Sequence, residues 1–136
     1  MLPSRSRRSL RCRPHDGPVP DVDISGARGD FGVVAVDGDR TVAAAWALYL
    51  PASDPGYGFV DAHTPESSVW VAPGLRGRGI GRAVMGELLD RASERGVHRM
   101  SLSVEPGNAR AMALYGSLGF VPVEGADNGV MLREVR

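Results

Sequence analysis

The chain has 136 residues, 43% of them hydrophobic and 24% charged, with 16 basic residues balanced by 16 acidic ones. That is room for one domain with an ordinary core, and no apolar run is long enough to cross a bilayer, so no membrane association is expected. The zero net charge hides an asymmetry: residues 1–13 carry five arginines and no acid, while the remainder has 11 arginines against 16 acids, a net charge of −5. A mildly acidic body argues against a nucleic-acid-binding surface. The single cysteine, Cys12, excludes an internal disulfide and fits a reducing compartment, so a cytoplasmic location is expected.

From Met1 to about Gly29 the composition is Ser, Arg, Pro, Gly and Asp without apolar periodicity, which predicts a disordered or loosely attached tail over 1–30. Phe31 to Val36 reads as a strand, Asp37-Gly38-Asp39 as a hairpin turn, and Thr41 to Leu50 as the returning strand. Pro51 to Gly58 is a loop, leading through Tyr57-Gly58-Phe59-Val60-Asp61 and Thr64-Pro65-Glu66 into a strand over 67–71. Ile80, Val84, Met85, Leu88, Leu89 and Ala92 repeat at helical spacing, so a helix is expected over about 80–94, with Gly96 as its stop. Met100 to Val104 alternates as a strand. Asn108 is placed to cap a second helix, whose Ala111, Met112, Leu114, Tyr115 and Leu118 share a face. Gly119 ends that helix, and strands are expected from Phe120 and over 129–135. The order predicts an α/β domain over 31–136, with a mixed, mostly antiparallel central sheet and flanking helices.

Between the strand at Val69-Trp70-Val71 and the first helix lies Arg76-Gly77-Arg78-Gly79-Ile80-Gly81-Arg82. A strand that feeds a helix through a glycine-rich loop aims unpaired backbone N–H groups and the positive end of the helix dipole at one spot, which attracts phosphate. Gly77, Gly79 and Gly81 lack the Cβ atoms that would hold a ligand off the backbone, and Arg76, Arg78 and Arg82 add full positive charges. The stretch is neither a P-loop, since the chain contains no lysine, nor a dinucleotide fingerprint, whose last spacer is one residue longer. A pyrophosphate cradle is the sharper reading; an idle basic loop is the plainer one. The three histidines show no metal-ligand spacing with one another or with Cys12, so no metal is expected.

Arg76-Gly77-Arg78-Gly79-Ile80-Gly81 resembles the Arg/Gln-x-x-Gly-x-Gly/Ala signature of the GCN5-related N-acetyltransferases. Asn108-Ala109-Arg110-Ala111-Met112-Ala113-Leu114-Tyr115-Gly116-Ser117-Leu118-Gly119-Phe120 is similar to a second segment of that family, Asn-x-x-Ala-x-x-Leu-Tyr-x-x-x-Gly-Phe. The two together, in this order, are far more specific than either alone, and the resemblance runs from about residue 31 to the end. It implies the acyl-CoA N-acyltransferase fold, with the N-terminal strand-helix-helix part short or missing. It also implies acetyl-CoA as co-substrate and direct transfer of the acetyl group to a primary amine of a small molecule or a protein. Val69, Trp70 and Val71 would offer backbone groups to pantetheine, a form of β-augmentation, with an N–H near Val71 polarising the thioester carbonyl. The loop from Arg76 to Arg82 would hold the pyrophosphate, and Asn108 would both cap its helix and touch the cofactor.

Tyr115 is the expected general acid, since a phenol is protonated at neutral pH; the plainer reading is a tyrosine packed on its helix face. Where enzymes that acetylate ribosomal-protein N-termini carry a glutamate base, the matching residue here is Ser103, so Glu66 is the substitute base, acting directly or through water, with Glu105 a weaker choice; the plainer reading of Glu66 is a solvated carboxylate at a strand entrance. The acceptor side is less legible: it is unusually open, or completed by a partner subunit such as a second copy in a homodimer, or part of an incomplete domain. A catalytically degenerate acyl-CoA-binding or protein-interaction module of the same fold is the alternative.

Overall fold

The computed structural model describes residues 10–15, 17–19, 22–24, 29–126 and 128–135. Its elements are β1 (Leu10–His15), β2 (Gly17–Val19), β3 (Val22–Ile24), β4 (Phe31–Asp37), β5 (Arg40–Leu48), β6 (Glu66–Val71), α1 (Ile80–Glu94), β7 (Arg99–Ser103), α2 (Ala109–Ser117), β8 (Val121–Pro122) and β9 (Val130–Glu134). Seven strands form one sheet in the order β1-β4-β5-β6-β7-β9-β8, and β2 and β3 form a separate hairpin. Every neighbour pair in the large sheet is antiparallel except β6 and β7, which run parallel around the α1 crossover. The sheet is therefore mixed and mostly antiparallel, with helices packed on it.

The expectation of a loose tail is corrected at residues 10–15. Leu10 to His15 pair antiparallel with Asp37 to Gly32 as the edge strand of the sheet. Arg11, Cys12, Arg13 and Pro14 are exposed, so the strand is held by backbone pairing and carries no apolar alternation to announce it. Pro14 is tolerated because an edge strand needs no ladder donor on its outer side. The rest of the expected tail before Gly29 either lies outside the described residues or forms the β2–β3 hairpin.

Strand alternation sorts the central sheet into two faces. Phe31, Val33 and Ala35 of β4, Ala43, Ala45 and Ala47 of β5, and Val69 and Val71 of β6 join the core beneath α1. α1 contributes Ile80, Val84, Met85, Leu88, Leu89 and Ala92, every one of them buried. The alanine run of β5 lets that helix approach closely, since a larger side chain under α1 would overfill a close-packed layer. Val34 and Ala44 face the other way with Ile24 of β3, and Val36, Trp46 and Trp70 pack against that smaller cluster. α1 stops at Gly96, whose φ of +77° only glycine adopts without strain.

Candidate active site

β6 and β7 pair at one position only, Glu66 with Ser101, while β6 stays paired with β5 along its whole length. Beyond Glu66 the two parallel strands diverge, and the β7-facing edge of Val69, Trp70 and Val71 opens into a cleft of about 730 Å³. Its far wall is Asn108, Arg110, Ala111 and Leu114 at the start of α2, and its floor is Leu75, Arg76, Gly77, Gly79, Ile80, Gly81 and Arg82. Three guanidinium-bearing residues line it, Arg76, Arg82 and Arg110, and no acid does.

The loop beneath the cleft owes its shape to glycine. Gly74, Gly77 and Gly79 have φ of +88°, +81° and +80°. Gly79 is the N-cap of α1 with no side-chain cap, and the first helical bond runs from Ala83 N–H to Gly79 O at 3.1 Å. The N–H groups at the head of α1 thus have no partner within the helix, and they sit where the cleft meets the dipole. Gly81 is different. It is helical, and a Cβ there would meet Val71 Cγ2 at an ordinary 3.6 Å, so the protein's own packing does not demand glycine.

Asn108 caps α2, its Oδ1 accepting from Ala111 N–H at 3.1 Å. Arg82 donates from Nη2 to Ser117 Oγ and so ties the head of α1 to the end of α2 across the cleft. Of the residues singled out from sequence, Val69, Trp70, Val71, Arg76, Gly77, Gly79, Ile80, Gly81, Arg82 and Asn108 come together at one surface. Arg78 is exposed and does not line it. Leu75, Arg110, Ala111 and Leu114 line it unannounced; only the i, i+3 spacing of Ala111 and Leu114 on α2 could have pointed to two of them.

Tyr115 stands behind the wall. Its ring packs edge-on against Phe120 with centroids 6.0 Å apart, and burial pushes its phenol above the usual tyrosine value. Glu66 lies where the two strands begin to part. Its Oε2 accepts from Gly58 N–H at 2.9 Å, and Oε1 is buried without a hydrogen-bond partner. A Cβ on Gly56 would stand 2.1 Å from Oε1, so the turn closes over the carboxylate only because Gly56 and Gly58 carry no side chains, while Tyr57 between them is exposed. The following loop is pinned by Arg99, which donates from Nη2 to Asp61 Oδ2 at 2.6 Å and from Nε to Thr64 Oγ1 at 3.1 Å. Ser103 is half-buried and offers no base.

The sequence model of the acetyltransferase (GNAT) family matches residues 6–120. The match begins at residue 6, not near 31 as the two motifs alone suggest, and so takes in β1. Mycothiol acetyltransferase of Beutenbergia cavernae is 37% identical over 124 residues, 85% of this chain and 39% of that protein. The ribosomal-protein-alanine N-acetyltransferase of Brucella melitensis superimposes with a TM-score of 0.62 at 33% identity, over 78% of this chain and 69% of that one. The protein yncA of Salmonella typhimurium, solved with its cofactor acetyl-CoA, reaches a TM-score of 0.69 at 21% identity, over 94% and 95% of the two chains, a likeness of fold. The chain spans between 32% and 39% of the length of the first curated relatives it matches. The matched residues run through every element that builds the cleft, and the chain belongs to the acetyltransferase (GNAT) family.

Proposed function

We propose that the chain is an acetyl-CoA-dependent N-acetyltransferase that moves an acetyl group from the thioester directly to a primary amine. The observation that carries this reading is the open edge of β6 leading into the glycine-formed, arginine-lined floor at the head of α1. The residues fit the co-substrate: a diphosphate finds N–H groups and Arg76, Arg82 and Arg110, and an amide-bearing arm finds the unpaired edge of Val69–Val71. Bound there, acetyl-CoA supplies an acyl group activated as a thioester.

The chain's own residues have three tasks. Backbone N–H groups along β6, the one near Val71 included, orient and polarise a carbonyl laid against that edge. Glu66 takes the proton that the acceptor ammonium must lose, its Oε2 fixed by Gly58 N–H. Tyr115 holds its proton at Oη across neutral pH, because burial disfavours the phenolate, and it can yield that proton to a departing thiolate. Its place on α2, beside Leu114 and one turn after Ala111, puts it next to the cleft wall.

The favoured acceptor is an α-amine, on a small molecule or a protein N-terminus. Such a group titrates near 7.7–8.0 and is partly neutral at pH 7, whereas a lysine near 10.4 is not. The Brucella relative is named for an alanine acceptor. We read residues 10–135 as one acetyltransferase domain working in the cytoplasm, where Cys12 stays reduced. Titrating acetyl-CoA into the protein should give binding that is lost when Arg76, Gly79 and Gly81 are replaced together. Free thiol should then appear only when an amine such as alanine amide is added. Binding without amine-dependent thiol release would point to the degenerate module; no binding would sink both.

A further inference from the structure

The chain has two tryptophans, Trp46 on β5 and Trp70 on β6. The register sets Trp46 opposite Ser68 and Trp70 opposite Ala44, so the two indoles leave the sheet on one face as diagonal neighbours, about 7–8 Å apart. That face looks away from α1: Val69 and Val71 join the core beneath the helix, while Trp46 and Trp70 pack with Ile24, Val34 and Ala44. Both tryptophans are half-buried, and Ser68 beside them is exposed. Neither indole N–H has a hydrogen-bond partner among the described residues. Both N–H groups reach the surface, since the buried side-chain atoms left without partners belong to Glu66 and Ser101. Trp70 also lines the cleft between Val69 and Val71, so this face and the cleft are continuous.

The strand positions around the indoles on this face are Gly32, Val34, Ala44, Leu48, Glu66 and Ser68, which include one carboxylate and no cation. An indole N–H donates and cannot accept, so the pair offers two donors to carbonyl oxygens, and the rings offer apolar surface beside them. A ligand that suits both has carbonyls and an apolar side chain but no free carboxylate, which would find no cation at these positions. A peptide has that chemistry, with carbonyls recurring along its length, and a single amino acid does not. Resting on the N-acetyltransferase reading, we propose that Trp46 and Trp70 form the platform for the acceptor, and that the acceptor is a polypeptide N-terminus with an apolar first residue. Its α-amine enters the cleft beside Val71, its carbonyls face the indole N–H groups, and its first side chain lies on the rings. Trp70 joins the platform to the cleft, and Trp46 is a specificity-determining residue.

Because Trp46 and Trp70 are the chain's two tryptophans, fluorescence reads the platform directly and without turnover. In saturating CoA, phenylalanyl-alanyl-alanine amide should shift the emission to the blue and saturate. Glycyl-alanyl-alanine amide and free phenylalanine should each need about tenfold more, the range expected when an apolar side chain loses its contact or a carboxylate goes unpaired. An unmoved spectrum, or equal midpoints for the three, overturns the platform. With acetyl-CoA, and each rate referred to the neutral amine, kcat/KM should favour the phenylalanyl peptide over the glycyl one by about tenfold. Trp46→Ala should erase that preference, a ratio measured within one protein, so that a loss of folded molecules cancels. Trp46→Phe, which keeps a ring, should retain most of it. An unchanged preference in Trp46→Ala overturns the platform and leaves the acetyltransferase standing. No turnover of any primary amine by the parent removes the acetyltransferase and the acceptor role together.

Discussion

The two helices that flank the cleft are built on opposite principles. α1 sinks six residues into the core, from Ile80 to Ala92, whereas α2 has no fully buried residue. α2 rests on the core only through the partly buried Ala111 and Tyr115, with Leu118 just after it, and is held besides by the Asn108 cap, the Arg82–Ser117 contact, the edge-on packing of Tyr115 on Phe120, and Arg133 Nε donating to Leu118 O at 2.7 Å. Apolar burial scales with area and stabilises the fold as a whole, while exposed polar ties contribute little each and let a wall yield. One side of the cleft is thus a deeply buried frame and the other a more lightly packed wall.

The sharpest way to break this contrast is a pair of truncations. Leu88→Ala, at a fully buried position, should cost about 2–5 kcal/mol, while Met112→Ala on α2, at 44% exposure, should stay within about 0.5 kcal/mol. Denaturant midpoints measure both, and comparable losses would end the distinction between frame and wall. Tyr115→Phe comes next. It keeps the ring packed on Phe120 and removes only the hydroxyl, so kcat should drop roughly 100-fold with the melting temperature almost unmoved. A variant that turns over as fast as the parent would leave Tyr115 as packing alone.

Smaller effects separate the two kinds of glycine at the head of α1. Gly79→Ala places a Cβ at φ +80° and should cost about 1–2 kcal/mol together with acetyl-CoA affinity. Gly81→Ala should hold or raise stability by up to about 1 kcal/mol, because alanine favours helix, yet weaken the same binding. Thermal melts with and without acetyl-CoA distinguish the cases; a Gly81→Ala protein that binds like the parent would show that no ligand approaches there.

The smallest effect concerns Asp61. Partial burial pushes its carboxyl up, but hydrogen bonds from Arg99, Thr64 and the His63 N–H, with the Arg99 charge, outweigh that and hold it below the ordinary 3.8. A depressed carboxylate stabilises the fold above its unfolded value and loses that contribution as pH falls through its folded value. The pair is more than a third exposed and screened by solvent, so the contribution should stay under about 1 kcal/mol. Unfolding of the parent and of Asp61→Asn should differ at neutral pH and converge as pH falls below 3.8. A constant gap would assign the difference to something other than titration.

These contrasts also mark where the sequence was readable. α1 spans Ile80–Glu94 as its apolar spacing predicts, because a buried helix must repeat its apolar residues to pack. The Asn108 cap was equally plain, since the chemistry sits in the side chain. β1 was missed for the converse reason: Arg11, Cys12, Arg13 and Pro14 all face solvent, and the strand is specified by backbone bonds to β4. Arg110 was missed as a cleft residue because its sequence neighbours say nothing of what lies across from it. Arg78 belongs to the same motif as Arg76, yet among the described residues it does not line the cleft.

By itself the sequence determined the parts whose signal is local: the apolar periods, the helix cap, and the glycines that let the loop turn through positive φ. Only the tertiary structure decided that β6 and β7 meet once, at Glu66 and Ser101, and then separate. It alone decided that a turn ahead of the cleft strand, at Gly56–Gly58, would close over Glu66. Backbone pairing is the same for every residue type, and a contact between distant segments leaves no periodic trace, so neither could be written in the spacing of side chains.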